Sequence, residues 1–308
     1  MKLSLEKQMP DLFDHIYPYR GRIDEERYSR GIDEALDLLA HVRNFAPTNY
    51  ECEHKGVPFY IMGYAALASH DYSAASLYFD AAVAEDIKNF PLIDDKPSLS
   101  FMRLDDRGQE MLATRIIREI ITNADELIAD YNQRVGARNM TLDELRSSFL
   151  RPIISSPEAH KRTLVTAFIS FIAEWKYSTK VIDLIRQGSR EPFFMHLFRG
   201  CLLFESLLKA QSKKPVTKNT LRQILQHDLF AELGLINVDV QESDFNNIIA
   251  GLRPTMEMPA TINSVGKARN TLGHNIVWIT TDLNVTTYNL LVKNVAAACL
   301  HAVSKLYF

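Results

Sequence analysis

The sequence predicts an all-α protein in two parts. Apolar residues recur at gaps of three and four in segment after segment, the period of a helix with one buried face. Nothing reads as a sheet beyond possible short pieces around Leu235 to Val240. The strongest punctuation is Pro152 followed by Ser155-Ser156-Pro157-Glu158, where Ser at the cap, Pro at the first helical position and Glu next form a helix start. The boundary is placed there, giving parts 1–156 and 157–308, and 308 residues are comfortable for two domains.

Residues 1–23, with Pro10 and Pro18, read as an irregular lead-in. A helical pattern then begins with acidic residues in its first turn. It continues through Ile32, Ala35, Leu36, Leu39 and Val42 and stops at Pro47-Thr48-Asn49. Between Pro58 and Asp86, Phe59, Met62, Gly63 and Ala66 mark one helix, His70-Asp71-Tyr72 a turn, and Ala75, Phe79 and Ala82 a second helix. Small residues at Gly63, Ala75 and Ala82 let two helices approach closely, with Phe59, Tyr72 and Phe79 filling the remaining space. This pair resembles one tetratricopeptide repeat, and Gly31, Ala35 and Leu39 precede Asp71, Ala75 and Phe79 by a constant offset. Two antiparallel helices of an unrelated all-α domain are the alternative.

After a loop holding Pro91 and Pro97, Ser100 to Tyr131 reads as one long helix through Leu104, Met111, Ile116, Ile120 and Ile128. A short helix from Leu142 to Leu150 follows the capping box Thr141-x-x-Glu144. The helix from Pro157 to Arg186 carries Phe168, Phe171, Trp175 and Tyr177, and Gly188-Ser189 breaks it. Arg190-Glu191-Pro192 starts the next helix, which runs through Phe193 to Leu208, and Lys213-Lys214-Pro215 is a basic turn. Thr217 to Phe230 and Glu242 to Leu252 are further short helices. Pro254 and Pro259 bracket a loop before the helix Thr261 to Ile279, and Asn284 to Leu306 supplies a final long helix.

With 46% hydrophobic and 24% charged residues, the composition is that of a soluble globular chain able to bury a core. No run approaches the ~18 apolar residues of a membrane span, and no apolar signal region precedes Pro10, so a cytoplasmic protein is expected. Cys52, Cys201 and Cys299 are far apart and odd in number, as expected of free thiols. Charge is uneven. Residues 1–156 carry 18 basic against 26 acidic side chains, and residues 157–308 carry 17 against 12. A basic half beside an acidic one hints at nucleic-acid contact by the basic one. The Gly-rich phosphate loop, His-Glu-x-x-His and Gly-x-Ser-x-Gly are all absent, and no metal or cofactor is expected. His196 and His301 read as satisfied helix histidines. Glu205 reads as a solvated helix position, with an inward carboxylate supporting the site as the alternative.

The chemistry concentrates in Thr261 to Ile279. At about 100° per residue, Val265, Ala268, Leu272, Ile276 and Ile279 fall in one apolar stripe. Asn263, Lys267, Asn270 and His274 form a second, roughly opposite, with Arg269 between them. Arg and Lys bind phosphate oxygens, and an imidazole moves protons near neutral pH, so this helix suits a phosphodiester. A solvated polar face is the plainer alternative. Arg269-Asn270-Thr271-Leu272-Gly273-His274 resembles the Arg-polar-x-x-x-His signature of HEPN-domain ribonucleases. Phe193 to Leu208 resembles that domain's first helix, and the likeness covers roughly the last 120 residues.

The resemblance implies a C-terminal HEPN-like helical bundle that cleaves RNA through the RNA's own 2′-hydroxyl, leaving a 2′,3′-cyclic phosphate without a metal. It implies Arg269, Asn270 and His274 as the catalytic set. Lys267 is expected to add electrostatic support in substrate binding, and Asn275 either to assist substrate binding or simply to cap the turn that Gly273 loosens. His274 is expected as acid or base, Arg269 as the phosphoryl clamp, and Asn270 as the residue that orients the imidazole or binds a phosphate oxygen. Family members commonly pair two protomers around one cleft, so a homodimer is expected, in a defence or toxin-like response. The acidic N-terminal part is expected to bind a protein partner or restrain the nuclease. Two rivals are a non-catalytic HEPN-fold binding module and a helical scaffold in which the motif is accidental.

Overall fold

Helix-forming runs become helices wherever an apolar stripe finds a partner, and the structure, a computed structural model, is all-α. It describes residues 25–89, 96–106, 112–136, 140–185, 188–275 and 283–308. The predicted lead-in, Met111, Ile276 and Ile279 lie outside them. Among the described residues there is no strand, and no helix is long and apolar enough to cross a membrane. Two compact units form, residues 1–117 with 154–162, and residues 118–153 with 163–308.

The first unit contains α1 (Glu25–Phe45), α2 (Pro47–Cys52), α3 (Gly56–Ala68), α4 (Tyr72–Asn89) and α5 (Pro97–Met102). The α3–α4 hairpin is closed by a turn with His70 at φ 60°, where Asp71 N donates to Ala66 O and His70 N to Leu67 O. Asp71 then caps α4 by accepting from Ala74 N. Gly63 is required at the crossing, because a Cβ there would stand 2.9 Å from the Phe79 ring. Phe79 in turn stacks on Phe101 with centroids 4.0 Å apart. Ala35 and Leu39 of α1 pack on Met62, flanked by Phe59 and Tyr78. Arg162 joins this unit through Asp80, at 2.6 Å from its Nε, and donates to Ser156 O and Pro157 O.

The long helix predicted from Ser100 to Tyr131 is broken. α5 ends at Met102, Leu104 adopts φ 57°, and Asp105 N donates back to Ser100 O. This is a Schellman end with leucine where glycine is usual. Leu104 is fully buried, and that burial offsets the roughly 1 to 3 kcal/mol that a left-handed non-glycine costs.

The second unit contains most of α6 (Leu112–Val135). It also holds α7, in which Leu142–Leu145, a π-turn at Arg146–Leu150 and Arg151–Ile154 run on, with Ile154 falling in the first unit. The capping box forms as predicted, and α7 passes through Pro152 where a stop was expected. Proline offers no N–H, and the wider turn before it accommodates the missing bond. Then come α8 (Ala159–Leu184), α9 (Glu191–Ala210), α10 (Leu221–Gln223, running into a π-turn at Ile224–Asp228), α11 (Phe245–Ala250), α12 (Met258–His274) and α13 (Val285–Leu306). α13 is buried on nearly all sides and packs on α9 and α12. Gly200 lets the chains meet, since a Cβ there would stand 2.5 Å from Phe171 and 2.6 Å from Val295.

The chain passes between the two units at 117/118, 153/154 and 162/163, whereas the sequence places a single boundary at Ser156. The reason is α6. Leu127 and Ile128 share an apolar pocket with Leu145, Phe168, Ala296 and Leu300. Asn123 donates to Ile172 O, and Arg134 reaches Asn294 Oδ1 at 2.6 Å and Thr261 Oγ1 at 3.2 Å. The charge asymmetry survives in weaker form, with 15 basic against 21 acidic residues in the first unit and 20 against 17 in the second.

Both helix histidines are satisfied. His196 Nε2 donates to Phe171 O and Nδ1 accepts from the Tyr288 hydroxyl, while His301 Nε2 donates to Leu233 O. Burial holds the His196 imidazole down to about 3, and lowers His301 as well. An unfolded imidazole titrates near ~6.5, so below that pH only the unfolded chain takes up these protons. Stability is therefore expected to be flat above ~6.5 and to fall by about 1.4 kcal/mol per pH unit for His196 as pH drops from there towards 3. Urea midpoints at pH 8, 7, 6 and 5 check this, and an unchanged midpoint down to pH 5 would contradict it.

Candidate functional site

α12 starts at Met258 with Pro259 in its first turn, so Pro259 belongs to the helix rather than to the loop before it. It ends at His274, where Asn275 leaves the helix at φ −153°, ψ 136° and donates its N–H to Thr271 O. The helix thus stops short of the predicted Ile279. Val265, Ala268 and Leu272 are buried as the apolar stripe requires.

The opposite, polar stripe is mostly covered. An irregular segment, 237–243, lies along it, and the possible short strand pieces expected around Leu235 to Val240 do not form. Asn263 Oδ1 accepts from Asp239 N, and its Nδ2 donates to Asn237 O. Lys267 Nζ pairs with Asp239 at 2.5 Å, Asn270 Nδ2 donates to Val240 O, and Thr271 Oγ1 bonds both Ser243 N and O. Side-chain amides here satisfy the backbone groups that a strand partner would otherwise take. Gly266 lets the segment close in, since a Cβ there would stand 2.3 Å from Val240 Cγ1. Of the stripe, only His274 stays exposed.

Arg269 turns the other way, towards α9. Its Nε donates to Glu205 Oε2 at 2.6 Å, and its Nη1 donates to Asn270 Oδ1 at 3.1 Å. Glu205 is buried, so the solvated position read from the sequence is corrected to an inward carboxylate; its other oxygen accepts from Lys209 at 2.5 Å. The side chain of Arg269 is 29% exposed, and Nη2 has no hydrogen bond among the described residues. A Cβ placed on exposed Gly273 would stand 3.9 Å from Nη1, so the guanidinium lies over the helix's last turn, one residue from His274. The His274 imidazole makes no hydrogen bond among the described residues.

No family model, curated protein or solved structure matches the chain.

The arrangement therefore separates the sequence-predicted residues. Arg269 is part-exposed and His274 exposed, both in the C-terminal turns of α12. Asn270 reaches back to orient Arg269, not the imidazole, and Lys267 is engaged by Asp239. Asn275 caps the helix by its backbone. Glu205 joins the site, and its legible signal in the sequence is Lys209 four residues on. Cys201 is also within reach of the guanidinium's field. Burial pushes its thiol up to about 12 against that pull, so it is a neutral packing residue.

Proposed function

We propose that the protein is an endoribonuclease that cleaves RNA by internal attack of the 2′-hydroxyl, with Arg269 and His274 as its working pair. The observation that carries the reading is the aimed guanidinium. Arg269 is held at Nε by buried Glu205 and at Nη1 by Asn270, which leaves Nη2 without a hydrogen bond among the described residues on a part-exposed side chain, in the helix that ends at His274. A guanidinium fixed in this way meets a phosphodiester without ordering cost at the moment of reaction.

In the proposed step the 2′-oxygen forms a bond to phosphorus and the bond to the 5′-oxygen breaks. One imidazole takes the 2′-hydroxyl proton or supplies the proton that the leaving oxygen needs. Nη2 of Arg269 binds the charge gathering on the phosphorane oxygens. One chain offers one such imidazole, and a two-fold dimer with two α12 ends at one cleft would supply acid and base together. The second unit's net positive charge favours a polyanion. A second reading, an RNA-binding module without turnover, draws on one observation: no hydrogen bond among the described residues fixes the His274 ring.

Incubation of the full chain with single-stranded RNA in EDTA tests the proposal. Progressive shortening of the RNA is expected. RNA that is bound but stays intact supports the second reading, and cleavage that requires added Mg²⁺ overturns the first.

A further inference from the structure

α9 carries four aromatic residues, and three of them are committed to the core: Phe193 is 4% exposed, Phe194 1% and Phe204 0%. Phe198 is the exception. It is half-buried and faces the end of α12, where a Cβ on Gly273 would stand 3.4 Å from its Cε2 and 3.7 Å from its Cζ. The same glycine borders the Arg269 guanidinium. With no side chain on Gly273, the tip of the Phe198 ring lies against the last turn of α12, and the ring as a whole stays only half-buried. One turn further along α9, Leu202 is 37% exposed and extends the apolar strip until Glu205 and Lys209 end it.

We propose that Phe198, flanked by Leu202, is a stacking subsite for a nucleobase next to the phosphate held by Arg269. The inference rests on the ribonuclease reading and extends it to the substrate: single-stranded RNA, with an unpaired base laid on the ring. Duplex RNA keeps its base faces stacked inside the helix, whereas single strands offer them to aromatic side chains. A ring beside a cationic phosphate site reproduces the alternation of base and backbone along such a strand. The apolar strip is only one half-buried ring and one leucine between charged residues, including Arg199 with its Glu174 partner, too few residues for the roughly 1,000 Å² that a stable protein interface needs. Stacking tolerates any base, with the larger face of a purine preferred.

The test uses the full chain, a single-stranded RNA with a mapped cleavage point, and the same RNA carrying one abasic ribose beside that point. Removing a stacked base is expected to raise KM about 5- to 100-fold with kcat nearly unchanged. Phe198→Ala is expected to raise KM equally on the intact RNA and to lose the distinction between the two substrates, and Phe198→Trp to restore it. Phe198→Ala with wild-type KM overturns the proposal, as do Phe198→Ala and abasic effects that multiply independently. A Phe198→Ala chain that turns monomeric where the wild type is dimeric also overturns it, in favour of a protein contact. If the wild type cleaves nothing, the ribonuclease reading fails by itself, and fluorescence anisotropy with the same two RNAs then decides the subsite. Weaker binding of the abasic RNA, abolished as a difference in Phe198→Ala, supports it, and equal binding overturns it.

Discussion

His274→Ala is expected to lower the rate of RNA cleavage by about 10²- to 10⁴-fold, the usual loss when a positioned acid or base is removed. The fold should not notice. His274 is exposed at the last position of α12 and its imidazole makes no hydrogen bond among the described residues, so its truncation leaves no buried group unpaired. Thermal midpoints within about 1 °C of wild type, a shift matching the few tenths of a kcal/mol typical of surface changes, complete the expectation. Arg269→Ala should behave differently. It would remove the proposed phosphate clamp and also strip buried Glu205 of one of its two cations, so activity and stability are expected to fall together. Cleavage rates and melting curves on both variants separate the roles, and a fully active His274→Ala chain would end the assignment.

The largest stability effect is expected at Arg134. Its side chain is 1% exposed, with Nε on Asp130 at 2.7 Å and Nη1 shared between Asn294 and Thr261. Removing one member of a buried ionic network typically costs about 3 to 5 kcal/mol, because the partners stay buried without a counter-charge or donor. Arg134→Ala should therefore lower the melting temperature by roughly 10 °C in a unit of this size. The loss should reach the site as well, because Thr261 lies in the first turn of α12 and Arg134 ties that turn to α13. A drop of less than about 1 kcal/mol in urea unfolding would mean the network is solvated and contributes little.

Much of this was legible in sequence because the signals were local. The capping box at Thr141 and Glu144, the small Gly63 under Phe79, the start at Pro192 and the satisfied histidines all depend on near neighbours or on burial alone. The misses depend on distant partners. Ser155-Ser156-Pro157 reads as the one domain boundary and lies just past a passage between units at 153/154, yet the passage at 117/118 is not legible, because residues of α6 find their partners on α8, α12 and α13. Leu104 keeps helical spacing, and nothing nearby reveals that its side chain is buried enough to hold a left-handed turn. Asn263 and Asn270 look solvated on a helical wheel. Their amides instead take up the backbone of 237–243, a segment that only the fold brings alongside. Glu205 showed Lys209 four residues on but could not show Arg269, sixty-four residues later.

The most direct measurement of the central claim is the chemistry of the cut ends. Full-length protein is incubated in EDTA with single-stranded RNA, and the fragments are weighed by mass spectrometry. Attack by the RNA's own 2′-hydroxyl predicts a 2′,3′-cyclic phosphate on one fragment and a free 5′-hydroxyl on the other, with 2′-O-methylated RNA left intact. Fragments ending in 3′-hydroxyl and 5′-phosphate, or equal cleavage of the 2′-O-methylated strand, would contradict it.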